Sequence, residues 1–318
     1  MRFLRFFTDG SEVHLGLRRH GQVMDLTLAA RRLWKEEITS PIAFMEGEAE
    51  GPARLSALIE SVSGSETLQR EVLKAADPLQ LDAPLRDSRK LLALAGNYHQ
   101  HIVESGFKDV SETARITPQV FMKPPSTCIT APGKPVYIRR SNVFVDWEIE
   151  LAVIIGQRGH DIPRERAMEY VWGYTVLNDI SERSFNSRMA DRKVREFDPF
   201  FDWLMGKWFD GFCPLGPEIV SSDEVQDPHR LPIRLWVNGQ LMQDANTAQM
   251  IFDVPETIHY ISQVLTFEPG DIIAMGTPGG VGKGRGIDLK PGDRMMGEIE
   301  GIGVLETPMA QSEGLPEA

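Results

Sequence analysis

The apolar residues of this chain follow a pattern that changes near residue 90. Beyond that point they form short runs separated by glycine and proline, which is typical of strands joined by turns. We predict strands at 91–95, 136–138, 148–155, 173–177, 233–237, 272–275 and 295–299. Asn238-Gly239 predicts a tight hairpin, because both residues tolerate a positive φ. Helical patterns at 164–171 and 255–264 complete a strand-dominated region.

The region before residue 90 combines both kinds of pattern. Residues 1–27 alternate between apolar and polar positions like short strands, and helical patterns follow at 26–35 and 55–76. Prolines hold the segment 76–84 extended, which is typical of a linker. The sequence therefore predicts two domains, a small α+β N-terminal domain over 1–80 and a larger domain, mainly β with some α, over 81–318.

The composition limits the possible partners and the location. Of the 318 residues, 42% are apolar and 25% are charged, which is ordinary for a folded protein, and we expect disorder only in the tail after about residue 307. The net charge of -12 argues against binding to nucleic acid or to an anionic membrane. No apolar stretch approaches the roughly 18 residues of a membrane span. Cys128 and Cys213 form no CxxC motif, so we expect neither a disulfide framework nor a zinc cluster, and we predict a cytoplasmic protein.

Two acidic residues stand two positions apart in the run Asp146-Trp-Glu-Ile-Glu-Leu151. Successive side chains of a strand point to opposite faces, so Glu148 and Glu150 should share one face. Two like charges held so close repel each other unless a cation lies between them, and a hard divalent ion is the simplest such cation. The alternative is that both acids lie on the solvent-facing side of an edge strand.

Asp179 supplies a third carboxylate, directly after the predicted strand at 173–177. A position at that strand end beside Glu150 would complete a cluster of three acids. Ligands that are all oxygen, with no Cys or His nearby, favour Mg²⁺ or Mn²⁺. The sequence thus predicts Glu148, Glu150 and Asp179 as ligands of such an ion.

A candidate general base follows the predicted strand at 91–95. A helix there would bring His101 and Glu104 together at i and i+3. A carboxylate hydrogen-bonded to an imidazole fixes its tautomer and raises its basicity. His99 is the alternative base, although it has no acid three residues later, and an ordinary surface helix is the alternative to both.

Three basic residues, Lys123, Arg183 and Lys207, could bind an anionic substrate, although each could instead be a solvated surface charge. The glycine-rich run 276–286 allows the backbone to approach a ligand closely. It lacks the spacing of a phosphate-binding loop, because Thr277 stands where that loop needs its first glycine.

The order of these elements resembles the fumarylacetoacetate hydrolase family from about residue 91 to residue 305. The motifs that carry the resemblance are Gly96-Asn-Tyr-x-x-His101-x-x-Glu104, Phe121-Met-Lys-Pro124, Asp146-Trp-Glu-x-Glu150, Gly173-Tyr-Thr-x-x-Asn-Asp179-x-Ser-x-Arg183, Lys207-x-Phe-Asp-x-Phe-x-Pro-Leu-Gly-Pro217, Val237-Asn-Gly-x-x-x-Gln243 and Gly276-Thr-Pro-x-Gly-Val-Gly282. Seven motifs in this order make the resemblance specific. It implies a catalytic domain built as a mixed β-sandwich roll, usually in a homodimer, with a Mg²⁺-type ion on the three predicted acids.

The resemblance also implies roles for other residues. His101 and Glu104 match a catalytic dyad, Lys207 matches a lysine that polarises the substrate, and the Thr277 loop matches one that contacts the substrate carboxylate. The candidate substrate-binding residues are Lys123, Arg183, Asn186 and Thr277.

Two departures from the family pattern bear on the substrate. The family commonly has Ser-Ala-Arg-Asp-x-Gln after the metal aspartate, whereas this chain has Ser181-Glu-Arg-Ser-Phe-Asn186. Asn186 is one methylene shorter than Gln, so an amide that holds the substrate oxyanion or water would reach less far. The stretch between Asp179 and Lys207 is also lengthened, and it adds Arg188, Arg192, Lys193 and Arg195 near the predicted site.

Together these features predict metal-dependent hydrolysis of a carbon–carbon bond in a small anionic 2,4-dioxo acid of the acylpyruvate type. The ion would stabilise the enolate, His101 oriented by Glu104 would activate water, and Lys207 would neutralise the oxyanion. Decarboxylation or enol–keto isomerisation of a 2-oxo diacid needs the same enolate but no water, and sugar-acid dehydration is a further branch. A non-catalytic oxo-acid-binding module is the remaining alternative, against which the retained dyad and lysine argue.

Overall fold

Strands outnumber helices in the computed structural model of the chain. The structure describes residues 1–8, 11–45, 50–76, 78–104, 116–139, 142–187, 189 and 191–312. Its strands are β1 (Arg2–Phe7), β2 (Val13–Arg19), β3 (Gln22–Asp25), β4 (Leu73–Ala75), β5 (Leu81–Asp82), β6 (Leu91–Ala95), β7 (Gln119–Lys123), β8 (Ile129–Thr130), β9 (Val136–Ile138), β10 (Val145–Asp146), β11 (Ile149–Ile155), β12 (Val171–Asn178), β13 (Ser181–Glu182), β14 (Cys213–Ser221), β15 (Pro232–Val237), β16 (Gln240–Asn246), β17 (Ile272–Ala274), β18 (Arg294–Ile299) and β19 (Gly303–Gln311).

The helices are short. They are α1 (Leu26–Leu33), α2 (Glu50–Ser63), α3 (Glu66–Val72), α4 (His99–Glu104), α5 (Pro125–Cys128), α6 (Asp198–Gly206), α7 (Val254–Ser262) and α8 (Gly282–Arg285), with 3₁₀ helices at Pro41–Phe44, Arg164–Tyr170, Ser222–Glu224 and Thr247–Gln249. None of the helices in the described residues combines the length and the apolar composition that crossing a bilayer requires.

The described strands form two main sheets. The larger has twelve strands, in the order β4-β3-β2-β1-β14-β12-β11-β17-β6-β7, with β5 beside β1 and β8 beside β14. The smaller has five, in the order β16-β15-β18-β19-β9, and a separate pair joins β10 to β13. Most neighbours are antiparallel, but three pairs run parallel, namely β17 with β6, β14 with β8 and β19 with β9. The mixed β-sandwich expected from the family resemblance is confirmed.

Strand β11 is covered by apolar layers on both faces. Ile149 and Leu151 belong to the core that includes the smaller sheet, whereas Ala152 and Ile154 belong to a second core that includes α1 and α2. All seven residues of β11 are buried. This burial fixes the register of the strand, because a slip of one residue would carry Glu150 into the apolar core.

The N-terminal region is joined to the rest of the molecule through the larger sheet. β1 pairs with β2 on one side and with β14 on the other, where Arg2 lies opposite Val220 and Phe3 opposite Ile219. β5, which lies in the predicted linker, also pairs with β1. The division into domains at residue 80 stays a prediction.

The predicted strands are present with shifts of up to two residues at their ends, and the Asn238-Gly239 turn joins β15 to β16. Some details were wrong. The helix expected over 55–76 is instead α2 and α3 followed by strand β4, because Gly64 and Ser65 interrupt the helix, Ser65 caps α3, and residues 73–75 pair with β3. The helix expected over 164–171 is a 3₁₀ helix. Strand β19 extends to Gln311, so the chain is ordered beyond the expected limit near residue 307.

Candidate metal centre

The three predicted carboxylates meet at one end of β11. Glu148 precedes β11, Glu150 lies within it, and Asp179 directly follows the antiparallel neighbour β12. The pairing continues past the strand ends, because the Asp179 N–H donates to the Glu148 carbonyl at 2.8 Å. One ligand oxygen from each acid lies within 4.8 Å of the others, and all three side chains are buried. This burial excludes the alternative of a solvent-facing edge strand.

Two lysine ammonium groups bind these acids. Lys207 Nζ donates to Glu148 Oε2 at 2.6 Å and to Asp179 Oδ2 at 2.7 Å. Lys123 Nζ donates to Asp179 Oδ1 at 2.6 Å and to the Ile180 carbonyl at 3.2 Å. Both lysines are buried, so each needs an anionic partner in order to stay charged. Lys123, at the end of β7, and Lys207, after α6, are therefore parts of the site and not solvated surface charges.

Arg183 is a third cation beside the acids. It lies after β13, and its Nε donates to Asp146 Oδ2 at 2.9 Å while a terminal nitrogen donates to Glu148 Oε1. Burial on its own lowers the pKa of Arg183, but the charges of Glu148 and Asp146 outweigh it and raise that pKa. The anions that Arg183 binds in the structure are thus carboxylates of the protein, and its predicted contact with substrate stays a prediction.

Glu148 and Glu150 differ in their charge environment. Burial on its own raises the pKa of Glu148, but Arg183 and Lys207 outweigh it and hold that pKa well below its usual range. Glu150 accepts the Gly276 N–H at 2.7 Å and has no salt bridge to another described residue. Burial and the charges of the two neighbouring acids raise the pKa of Glu150 well above its usual range.

The residues present fit a hard divalent cation. The candidate donors are all carboxylate oxygens, which Mg²⁺ and Mn²⁺ prefer. Within the described part of the chain, three carboxylates, those of Asp146, Glu148 and Asp179, form salt bridges with the cationic groups of Lys123, Arg183 and Lys207, so these charges balance. Glu150 has no cationic partner among these residues, and its raised pKa favours the uncharged form when no cation is bound. A divalent cation bound by an ionised Glu150 would leave a net positive charge at the site, which suits an anionic ligand.

His101 lies beside the same acids on α4. Its Nε2 is 4.0 Å from Glu148 Oε1, and its Nδ1 is buried with no hydrogen-bond partner among the residues that the structure describes. Burial lowers the pKa of His101 and outweighs the raising effect of Glu148, which favours the neutral imidazole. The alternative base His99 is exposed, whereas the His101 side chain is only 13% exposed. The structure thus places His101 beside Glu148.

The expected hydrogen bond between His101 and Glu104 is not formed in the structure. Glu104 Oε2 instead accepts the Gly280 N–H at 2.8 Å. Gly284 packs against the same carboxylate, since a Cβ added there would lie 2.4 Å from Glu104 Oε1. Glu104 therefore ties α4 to the glycine-rich loop, and the dyad with His101 stays a prediction that requires Glu104 to leave Gly280.

Two buried side chains were not predicted as part of this region. Gln243 on β16 donates to Thr277 Oγ1 and to the Pro278 carbonyl, both at 2.8 Å, and accepts the Ile149 N–H at 3.1 Å. It thus connects the glycine-rich loop to β11. The Tyr98 hydroxyl is buried with no partner in the described part of the chain. Burial and the charge of Glu150 raise its pKa, so it stays a neutral phenol. Both residues lie within motifs of the family resemblance, Tyr98 in the one that begins at Gly96 and Gln243 in the one that begins at Val237. Membership of these motifs was the sequence signal that could have identified them.

Replacing Gly280 by Ala should lower the free energy of unfolding by about 2–4 kcal/mol. Gly280 has φ +101°, and an added Cβ would lie 2.2 Å from the Met242 carbonyl oxygen, which is backbone and cannot rotate away. Gly286→Ala is the matched control, because Gly286 has φ +68° but nothing within 4 Å of an added Cβ. Urea unfolding of both variants measures the difference. Equal losses would show that the Met242 backbone yields.

Asn186 and two of the added basic residues bind helix α6. Asn186 Nδ2 donates to Asp202 Oδ1 at 2.9 Å, and Arg192 forms a salt bridge with the other oxygen of Asp202. Arg195 forms a salt bridge with Asp198 at 2.9 Å. The predicted contact of the Asn186 amide with substrate stays a prediction. Of the other two added cations, Lys193 is exposed and Arg188 lies outside the described residues.

Known proteins resemble this chain over most of its length. The family described as fumarylacetoacetate (FAA) hydrolase C-terminal matches residues 90–310. A mitochondrial oxaloacetate tautomerase of Bos taurus is 38% identical over 296 residues, which is 92% of this chain and 86% of that protein. The structure of a fumarylacetoacetate hydrolase from Exiguobacterium antarcticum has a TM-score of 0.76 and 30% identity, covering 98% of this chain and 99% of that one. The structure of a maleylpyruvate hydrolase from Sphingobium sp. SYK-6 with manganese(II) and pyruvate has a TM-score of 0.70 and 29% identity, covering 98% and 100%.

Proposed function

We propose that this chain, which belongs to the fumarylacetoacetate hydrolase family, is a divalent-metal-dependent enzyme that acts on the enolate of a small anionic 2-oxo acid. The family is enzymatic, and its members include hydrolases and a tautomerase. The observation that carries the proposal is the buried cluster of Glu148, Glu150 and Asp179 with the His101 imidazole beside it. Mg²⁺ or Mn²⁺ fits these oxygen donors.

Among the reactions that share this enolate, we favour enol–keto tautomerisation of a 2-oxo diacid such as oxaloacetate. This reaction moves one proton between oxygen and carbon and needs no attacking water. It needs a base beside the acids, a role that we assign to His101, and it does not need Glu104, which accepts the Gly280 N–H. The Bos taurus tautomerase is also more similar in sequence than either hydrolase of known structure.

Each side chain has a distinct part in this mechanism. An ion held by Glu148, Glu150 and Asp179 would supply Lewis acidity toward the oxygens of the 2-oxo acid. His101 Nε2 accepts the proton of the enol hydroxyl group and delivers it to the carbon next to the one that bears that hydroxyl. The ammonium group of Lys207 offsets negative charge on the substrate oxygen. Burial strengthens these interactions, because little water screens them.

Hydrolysis of an acylpyruvate is the second candidate. It is favoured by the likeness to the Sphingobium maleylpyruvate hydrolase, whose structure contains manganese(II) and pyruvate. It requires Glu104 to leave Gly280 and to orient His101 toward a water molecule. The products would be pyruvate and a carboxylic acid.

Purified protein with Mn²⁺ should accelerate the ketonisation of enol-oxaloacetate, measured as the loss of its ultraviolet absorbance. A panel of acylpyruvates in ¹⁸O-labelled water, analysed by mass spectrometry, tests the second candidate, because hydrolysis places the label in the new carboxylate. If the carboxylic acid product carried the ¹⁸O label and the ketonisation of enol-oxaloacetate were not accelerated, the function would be hydrolysis. Carbon dioxide release would indicate decarboxylation, and oxalate binding without any turnover would indicate a binding module.

The proposal extends to the assembly and the location. We propose a homodimer, as the family resemblance implies, and light scattering on the purified protein measures its mass directly. The cytoplasmic location predicted from composition is kept as a proposal, although the Bos taurus relative is mitochondrial by name.

A further inference from the structure

We propose that Asp146 is a positioning residue that holds the metal ligand Glu148 and the glycine-rich loop in place without itself binding the ion. The inference rests on the proposed function, in which Glu148, Glu150 and Asp179 hold a divalent cation. It concerns a residue to which that function assigns no part.

Asp146 is fully buried at the end of β10, and both of its oxygens are occupied. Oδ1 accepts the N–H groups of Trp147 at 2.8 Å and Gly282 at 2.6 Å. Oδ2 accepts the Lys283 N–H at 3.1 Å and Arg183 Nε at 2.9 Å. A carboxylate has about four lone-pair sites, so four donors leave none for a cation. Glu150 differs, because among the described residues it accepts only the Gly276 N–H and so keeps lone pairs for a cation.

Asp146 acts on Glu148 through the guanidinium group of Arg183. Arg183 donates to Asp146 from Nε and to Glu148 from a terminal nitrogen. Because the guanidinium is planar and rigid, the position of Asp146 determines where Arg183 holds Glu148 Oε1. The charge of Asp146 also offsets that of Arg183. Without it, Arg183 would compete more strongly with a metal ion for Glu148.

Asp146 also holds the glycine-rich loop against the acids. The contact with Gly282 is tight, since a Cβ added there would lie 2.7 Å from Asp146 Oδ1. The neighbouring Trp147 donates from Nε1 to the Gly280 carbonyl at 3.2 Å, and the Gly276 N–H donates to Glu150. The loop is thus attached along the segment 146–150, and Asp146 connects the loop to a metal ligand.

The Asp146→Asn variant tests the inference with Mn²⁺ alone, without substrate. Asn keeps the size but lacks the charge and one acceptor oxygen. We expect the Mn²⁺ affinity, measured by calorimetric titration, to fall about 10- to 100-fold, which is the usual cost of removing the partner of a metal ligand.

Asp271→Asn is the matched control. Asp271 is equally buried, accepts the N–H groups of Lys90 and Glu268, and forms a salt bridge with the Lys90 ammonium at 2.7 Å. Its replacement should reduce stability in the same way but change the Mn²⁺ affinity by less than about twofold, because it has no contact with the acids.

Arg183→Gln shows whether Asp146 acts through Arg183. If it does, Asp146→Asn should have less than about a twofold further effect on Mn²⁺ affinity in the Arg183→Gln background. The proposal would be overturned if Asp146→Asn bound Mn²⁺ as tightly as the wild type. It would also be overturned if Asp146→Asn lowered the Mn²⁺ affinity as much in the Arg183→Gln background as it does alone.

Two further outcomes complete the test. A wild-type protein that binds no Mn²⁺ would contradict the proposed function and this inference with it, whereas failure in the variants alone contradicts only the inference. If Asp146→Asn does not fold, Arg183→Lys tests the same bridge, because one ammonium cannot reproduce the two-sided contact of a guanidinium. Unchanged Mn²⁺ affinity in that variant would also overturn the proposal.

Discussion

Glu150→Gln should abolish Mn²⁺ binding and turnover while leaving the metal-free protein at least as stable as the wild type. Removing an outer partner of a metal ligand already costs about 10- to 100-fold in affinity, so the loss of a charged ligand should cost more. Gln can still accept the Gly276 N–H. The raised pKa of Glu150, caused by burial and by its acidic neighbours, means that its ionised form is unfavourable in the fold, and Gln removes that charge.

Comparison of Asp179→Asn with Glu150→Gln separates the effect of losing a metal ligand from the effect of losing the partner of a buried cation. Asp179 binds both Lys123 and Lys207, so its replacement leaves buried ammonium groups short of an anion, which typically costs about 3–5 kcal/mol. We expect this variant to lose metal, turnover and stability together, whereas Glu150→Gln loses only the first two. Calorimetric titration, steady-state rates and thermal unfolding in excess chelator measure the three quantities. Full activity of the wild type in excess chelator, with no metal found by elemental analysis, would contradict a metal-dependent reaction.

His101→Ala should lower turnover by about 10²–10⁴-fold, the usual contribution of a general acid–base residue, while Mn²⁺ binding is kept. The side chain is placed beside Glu148 but is not among the proposed ligands, so its removal affects proton transfer more than the ion. Steady-state rates at matched metal occupancy give the comparison.

His99→Ala and Glu104→Gln are the controls for this prediction. His99 is exposed on the same helix, so its replacement should have little effect on turnover. Glu104→Gln keeps an oxygen that can accept the Gly280 N–H, and it should be milder than His101→Ala. A larger loss in His99→Ala would show that the base had been assigned to the wrong imidazole.

The acids could be predicted from the sequence because their arrangement depends on local rules. Alternation along one strand places Glu148 and Glu150 on the same side, and the end of an apolar run places Asp179 at a strand terminus. What brings them together, the antiparallel pairing of β11 with β12, depends on contacts between distant segments. The three basic residues show the same limit. Their residue types indicated anion binding, but only the tertiary structure shows that Lys123, Arg183 and Lys207 bind the acids themselves.

Helix α6 was missed although its sequence carries a start signal. Asp198-Pro199 places proline in the first helical turn, where its missing N–H costs nothing. The surrounding run of aromatic and apolar residues hid the amphipathic period that would have identified a helix. Glu104 illustrates a different limit, since its i, i+3 spacing from His101 is met, but a backbone N–H of the glycine-rich loop occupies its carboxylate.

The pairing of β1 with β14 has a consequence for how the chain can be divided. A fragment beginning at residue 81 would lack β1 and would leave the 219–220 end of β14 without its hydrogen-bonded neighbour. It would also expose Trp172, whose ring lies 4.6 Å from that of Phe3. An unprotected strand edge next to an apolar surface is a template for intermolecular pairing, so the isolated fragment would be prone to aggregate. Strand β1 thus protects the edge of β14 in the sheet that carries the acids.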